Sequence, residues 1–161
     1  MKKYPMRINL NGEWVEMEAD AGETLLLALR DNLDAVEVKN GCGKGDCGAC
    51  TVILNGNPVN ACLTLALQAD GKEVVTIKGI GSAQNPHLIQ KSFVEKGAIQ
   101  CGFCTAGHVL SAKVLLDKNP APTRDDITEA ISGNLCRCTG YTKIVEAIED
   151  SAMKAQPPDT E

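Results

Sequence analysis

Three cysteines and four glycines fall within ten residues in the segment Gly41-Cys42-Gly43-Lys44-Gly45-Asp46-Cys47-Gly48-Ala49-Cys50. Glycine adopts positive φ without steric cost, and a missing side chain lets backbone N–H groups approach a bound centre closely. A mobile glycine-rich surface loop is the alternative, but it gives no reason for the interleaved cysteines. We therefore interpret this segment as a loop that wraps a metal or iron–sulfur centre, with Lys44 and Asp46 as solvated loop residues.

All eight cysteines of the chain fall into two sets of four. The first set is Cys42, Cys47, Cys50 and Cys62, and the second is Cys101, Cys104, Cys136 and Cys138. No apolar segment follows the first five residues, so we expect a cytoplasmic protein, whose reducing surroundings disfavour a disulfide framework. Four thiolates per set fit one tetrahedral metal ion or one small iron–sulfur cluster.

The spacing within each set favours one of these centres more than the other. In the first set, Cys-x4-Cys-x2-Cys followed by a later cysteine matches the plant-type 2Fe–2S pattern, whereas a zinc site would give Cys62 a close neighbour. The second set, Cys-x2-Cys and Cys-x-Cys, leaves a zinc ribbon with an irregular knuckle open. Adjacent side chains of a Cys-x-Cys pair point apart, which favours a two-iron cluster there as well.

Composition excludes several other classes of protein. The 161 residues fit one ordinary domain or two small ones, and 43% apolar with 23% charged residues is typical of globular proteins rather than disordered or coiled-coil chains. A net charge of −5 disfavours a nucleic-acid partner. No apolar run approaches about 18 residues, so we expect no membrane segment.

Residues 1–80 read as a small α+β domain. Asn11-Gly12 and Asn55-Gly56 each separate two alternating segments and predict two β-hairpins. The segment 24–30 predicts a short helix capped by Asp20 or Thr24. Two further strands are predicted at 36–38 and 74–77, and turn residues at 79–86 mark the predicted domain boundary.

Residues 81–161 read as an all-α helix bundle. Apolar spacing predicts helices around Leu88–Phe93, Val109–Leu115 and Tyr141–Ile148, and Thr123–Asp126 predicts a capping box for a helix that ends at Gly133-Asn134. Acidic residues of the last helix, Glu146, Glu149 and Asp150, are expected on a solvated face. The polar tail 156–161 is expected to fray.

Three motifs in this order resemble one family. They are the segments 41–52, Gln100-Cys101-Gly102-Phe103-Cys104-Thr105 and 133–141, the last reading Gly-Asn-Leu-Cys-Arg-Cys-Thr-Gly-Tyr. They are similar to the iron–sulfur subunits of molybdenum hydroxylases, the xanthine dehydrogenase/aldehyde oxidoreductase family. The resemblance implies a plant-ferredoxin-like β-grasp domain followed by the helical domain, each holding one 2Fe–2S cluster. One departure is Ala106, which stands where the family usually has proline, with His108 two residues later.

The resemblance also implies roles for individual residues. The first cysteine set would bind an outer, solvent-side cluster, and the second set an inner cluster. Gln100 matches a residue that hydrogen-bonds molybdopterin on a large subunit, and Cys138 matches the ligand nearest the pterin. Electrons would pass singly from molybdenum through both clusters to FAD on a medium subunit, in a dimer of heterotrimers.

Alternative functions stay open at this point. The chain has no evident acid–base or nucleophilic centre, because His87 and His108 lack a nucleophile free of ligand duty, so no catalytic residue is expected. We expect a purine or another N-heterocycle as substrate of the complex, against an aldehyde, carbon monoxide or an aromatic acyl-CoA. A free-standing two-cluster ferredoxin and a zinc-stabilised adaptor are the competing hypotheses.

Overall fold

A five-stranded mixed sheet occupies the first half of the chain and helices the second, in a computed structural model that describes residues 2–155. The predicted frayed tail lies outside the described residues. Strand order is β2-β1-β5-β3-β4, with β1 and β5 parallel and the other neighbours antiparallel. Among residues 2–155, no helix is long and apolar enough to cross a membrane.

The first hairpin forms as predicted. Strands β1 (Lys3–Leu10) and β2 (Glu13–Asp20) pair antiparallel across Asn11 and Gly12, whose φ angles are 54° and 95°. Positive φ at both central residues is the requirement of the tight turn that suits twisted strands. Met6 and Ile8 alternate with exposed residues, so β1 turns one face to the core.

The short helix after the hairpin begins at the predicted cap. Thr24 caps α1 (Leu25–Leu27), which continues into a π-helical turn at Ala28–Asn32, and its hydroxyl accepts the N–H of Leu27 at 3.3 Å. The other candidate cap, Asp20, ends β2 instead.

The predicted strand at 36–38 is wrong. Asp34 has a φ of 51° and turns the chain, and these residues form turns and bends. The carbonyl oxygens of Val36 and Val38 accept hydrogen bonds from the Arg30 guanidinium at 3.1 and 2.7 Å. A side chain therefore uses the acceptors that a neighbouring strand would need.

The second hairpin and the last strand complete the sheet. Strands β3 (Thr51–Leu54) and β4 (Asn57–Asn60) pair antiparallel, a 3₁₀ turn follows at Ala66–Ala69, and β5 (Glu73–Val75) inserts between β1 and β3. The last strand ends before the predicted residue 77. Thr76 caps α2 (Ile77–Ile80) by accepting the N–H of Lys78 at 3.3 Å.

Four longer helices follow, as the apolar spacing predicted. They are α3 (Leu88–Glu95), α4 (Thr105–Lys118), α5 (Arg124–Ala130) and α6 (Thr142–Ala155). The capping box at Thr123 and Asp126 is confirmed, with hydrogen bonds of 3.2 and 2.8 Å in the two directions. Helix α5 ends ahead of the predicted stop at Gly133-Asn134.

Each half of the chain has its own apolar core, and a smaller cluster joins them. The first core runs from Met6 to Val74 and the second from Ile89 to Ile148. Ile53 of β3 packs with Leu110 and Val114 of α4 between them. Division of the chain after residue 80 stays a prediction.

Asp150 does not lie on a solvated face, contrary to expectation. It is 7% exposed, and its carboxylate accepts the Ser92 hydroxyl at 2.8 Å and contacts the ammonium groups of Lys96 and Lys154 at 3.0 and 2.6 Å. The ammonium of Lys154 chiefly holds the Asp150 pKa down to about 2. This carboxylate ties α6 to α3.

Candidate metal centres

The first cysteine set comes together where the long loop ends at β3 and the chain leaves β4. Cys50 and Cys62 are buried at 3% and 7% exposure, whereas Cys42 and Cys47 are half-buried. Their thiols face each other in pairs, Cys42 with Cys47 and Cys50 with Cys62. The structure therefore brings these four cysteines, spread over 21 residues of sequence, together as two pairs.

The second set lies at two helix starts in the helical half. Cys104 immediately precedes α4, and Cys136 and Cys138 lie in the loop before α6. The Sγ atoms of Cys101 and Cys138 are 3.7 Å apart, and Cys104 faces Cys136. Two thiolates on one tetrahedral metal, with bonds of about 2.3 Å, lie about 3.8 Å apart, so the first pair already has that separation.

Paired sulfurs suit a centre with two metal ions. Among residues 2–155, no group of three or more Cys, His, Asp or Glu side chains has the arrangement that would hold one metal ion. In each set the sulfurs instead form two facing pairs. A 2Fe–2S cluster takes four thiolates, two on each iron, and both sets fit that donor pattern.

The thiols differ in their readiness to ionise. Backbone N–H groups, chiefly that of Lys44, lower the pKa of Cys42 to about 6. Burial raises the pKa of Cys50 to about 11 and that of Cys104 to about 12. Burial also opposes ionisation of Cys136, but the Thr139 hydroxyl and N–H outweigh it and lower this pKa. Because a metal binds the thiolate, loading of either set releases protons.

The glycines of the first loop make room for the sulfurs. Gly43, Gly45 and Gly48 have φ angles of 67°, 88° and 65°, which fulfils the predicted need for positive φ. Gly41 has a different role, since a Cβ atom there would lie 2.8 Å from the Sγ atom of Cys47. The N–H of Lys44 points to the Sγ atom of Cys42 at 3.5 Å. The backbone of this loop thus lies close to the sulfurs of the first set.

One edge of the second set is open to solvent. Cys101 and Cys138 are exposed, and the amide of Gln100 donates to the Cys138 carbonyl oxygen at 3.2 Å. Phe103 and Leu135, which belong to the same two sequence motifs, are 46% and 53% exposed. Exposed apolar side chains close in sequence to exposed thiols are typical of a surface that a partner covers.

Both histidines make contacts that support helix starts. His87 caps α3 by accepting the N–H of Ile89 at 3.3 Å. His108 is completely buried, with Nδ1 at 3.0 Å from the carbonyl oxygen of Cys104. Burial lowers its pKa, so it stays neutral and supports the start of α4.

The sequence identified Asn134 only as a helix end, and the structure gives this residue a further role. It lies 3% exposed between the two cysteine sets and hydrogen-bonds residues of the first loop. The only local sign is its place two residues before Cys136, within the third motif.

Comparisons with known proteins agree with this geometry. Residues 8–74 match the 2Fe-2S iron-sulfur cluster binding domain, and residues 76–149 match a second 2Fe-2S binding domain. The nicotinate dehydrogenase small FeS subunit of Eubacterium barkeri is 51% identical over 148 residues, covering 92% of this chain and 94% of the relative. The aldehyde oxidoreductase iron-sulfur-binding subunit PaoA of Escherichia coli K12 is 42% identical over 92% of this chain and 71% of the relative.

A solved structure shares the whole arrangement. A chain of quinoline 2-oxidoreductase from Pseudomonas putida 86 superposes with a TM-score of 0.90 at 39% identity, covering 95% of this chain and 96% of that one. The fold and the two cysteine sets thus define a two-cluster iron–sulfur protein with a ferredoxin-like domain followed by a helical one. The chain belongs to the iron–sulfur subunits of the molybdenum hydroxylases, and its function is electron transfer within an oxidoreductase complex. The zinc-adaptor hypothesis has no support in these matches.

Proposed function

We propose that all eight cysteines are cluster ligands, four to each 2Fe–2S cluster. The outer cluster takes Cys42, Cys47, Cys50 and Cys62, and the inner one takes Cys101, Cys104, Cys136 and Cys138. The observation that carries this assignment is the pairing of the sulfurs, because each facing pair could hold one iron of a 2Fe–2S cluster.

Hydrogen-bond donors reach a sulfur in each of the two sites. A bound 2Fe–2S cluster stores one electron at a time. Thr139 donates its N–H to the Cys136 Sγ atom at 3.5 Å and lies within hydrogen-bond distance through its hydroxyl at 3.1 Å. The N–H of Lys44 reaches the Cys42 Sγ atom at the same distance of 3.5 Å. Such donors stabilise negative charge on the sulfur and raise a reduction potential.

The exposed edge of the second set is the proposed contact with the molybdenum partner. An inner cluster must be shielded from solvent. A large molybdopterin-binding subunit would bury the exposed residues Cys101, Cys138, Phe103 and Leu135. Gln100 already orients its amide toward the Cys138 backbone, and both residues would face the pterin. The first set would then pass electrons to FAD on a medium subunit, in a cytoplasmic dimer of heterotrimers.

The proposed substrate of the complex is an N-heterocycle. Two of the relatives are named for nicotinate and quinoline, which are both nitrogen heteroaromatics, whereas the third is named for aldehydes. The substrate pocket would belong to the large subunit, so this chain contributes no substrate contact.

The test uses the complex purified natively and anaerobically. Nicotinate, hypoxanthine and benzaldehyde are added in turn, and the visible absorbance of the clusters is followed. We expect one of the two heterocycles to bleach it and benzaldehyde to leave it unchanged. Bleaching by benzaldehyde alone would reject the substrate class, and a chain that elutes alone at 17.1 kDa would reject the partners.

A further inference from the structure

A buried asparagine joins the ligand loops of the two cysteine sets. We propose that Asn134 is a positioning residue that holds the loop of Cys47 against the loop of Cys136 and so fixes the separation and orientation of the two clusters. The inference rests on the proposed ligand assignment and adds a residue that is not itself a ligand.

Every hydrogen-bonding group of the Asn134 side chain is used. Its Nδ2 donates to the carbonyl oxygen of Gly48 at 3.0 Å and to the Thr51 hydroxyl at 3.2 Å, across 86 and 83 residues of sequence. Its Oδ1 accepts the hydroxyl of Ser111 on α4 at 2.8 Å. One side chain, 3% exposed, thus bonds the first loop, strand β3 and helix α4 together.

The Gly48 carbonyl is the centre of this network. It also accepts the backbone N–H of Thr51 at 3.1 Å and the Thr51 hydroxyl at 2.7 Å. Since the Thr51 hydroxyl donates there, its lone pairs are free to receive Nδ2 of Asn134. Gly48 directly follows Cys47, and Thr51 directly follows Cys50, so the network holds both ends of the ligand segment.

The Asn134 side chain lies so close to Gly48 and Gly107 that neither position has room for a Cβ atom. A Cβ atom on Gly48 would lie 2.5 Å from Nδ2 of Asn134, and one on Gly107 would lie 2.8 Å from the same atom. Gly107 is in the first turn of α4, three residues after Cys104. Beside it, the N–H of Leu135 donates to the carbonyl oxygen of Cys47 at 2.9 Å.

Hydrogen bonds fix the register of the two loops against each other, which apolar packing alone does not fix. Ile53, Leu110 and Val114 hold the two halves together, but apolar burial has no preferred register. The bonds of Asn134 do have one, because each requires a defined distance and angle. Their loss would leave both clusters in place and let one loop shift against the other.

The experiment uses the natively purified complex, reduced with dithionite, carrying Asn134→Ala. The magnetic interaction between the reduced clusters is measured from signal splitting and relaxation enhancement in low-temperature electron paramagnetic resonance. We expect loss of the wild-type interaction, with iron content unchanged. Ser92→Ala is the matched control, because it removes another buried hydrogen bond, the one to Asp150, and should preserve the interaction.

An unchanged interaction in Asn134→Ala would overturn the proposal. If that variant does not assemble, Thr51→Val removes one partner of Asn134 and should weaken the interaction in part; an unchanged value there would overturn the proposal equally. A wild-type complex without iron would instead reject the ligand assignment, so the two failures are distinguishable.

Discussion

Gly41 and Cys47 lie so close that a methyl group on Gly41 would be 2.8 Å from the cysteine Sγ atom. A sulfur fixed by a metal cannot move away, so Gly41→Ala should lose the outer cluster, about two of about four irons per chain, by iron analysis. Gly133→Ala is the control, because a Cβ atom there meets nothing within 4 Å. Full iron content in Gly41→Ala would show that the first set does not bind a cluster as proposed.

Cys47→Ala separates the two clusters in function. It removes one thiolate of the Cys42–Cys47 pair while the second set keeps all four. We expect loss of the outer cluster signal and of flavin reduction, whereas substrate still reduces molybdenum. Stopped-flow absorbance follows flavin reduction, and electron paramagnetic resonance follows the outer cluster and molybdenum. Flavin reduction at the wild-type rate would argue against electron passage through this site.

Local sequence signals predicted much of the fold. Asn11-Gly12 and Asn55-Gly56 determine their turns by backbone preference alone, and Thr123 with Asp126 determines a helix start. The division of the cysteines into two sets was also visible locally, because their spacing along the chain separates them into two groups of four.

The remaining features depend on partners far along the chain. The segment 36–38 has strand-like composition, yet Arg30 takes its carbonyl groups. In the sequence Asp150 looks like a surface residue, but in the fold it contacts Ser92, which is 58 residues away. Asn134 reads as a turn residue, and only folding places it against Gly48.

Gln100 should affect the partner's cofactor and not this chain's iron. Gln100→Ala removes an exposed amide whose bond within the chain, to the Cys138 carbonyl oxygen, is 3.2 Å long. We expect normal iron content with weaker magnetic coupling between molybdenum(V) and the inner cluster, while Gln84→Ala on an exposed loop changes neither. Loss of the inner cluster in Gln100→Ala would mean that the residue supports the cluster instead of the pterin.

Asp150 should contribute to stability in a pH-dependent way. Asp150→Asn removes the carboxylate that faces the ammonium of Lys96 and leaves Lys154, among the described residues, paired only with Glu95. It should lower the free energy of unfolding by about 1–3 kcal/mol at pH 7. The native pKa, about 2, lies below the unfolded value of about 3.9, so this contribution is present above pH 4 and is lost as pH falls toward 2.

The check is denaturant unfolding of wild type and Asp150→Asn across this pH range, with the exposed Asp31→Asn as control. The difference between wild type and Asp150→Asn should shrink on acidification. A difference that is constant with pH would show that the carboxylate charge is not what holds α6 to α3.

The presence of two 2Fe–2S clusters is tested most directly by the iron and acid-labile sulfide content of the natively purified protein, together with its dithionite-reduced electron paramagnetic resonance spectrum. We predict about four irons and four sulfides per chain and two distinguishable one-electron signals. A colourless protein with about two zinc ions and no labile sulfide, or a single cluster signal, would contradict it.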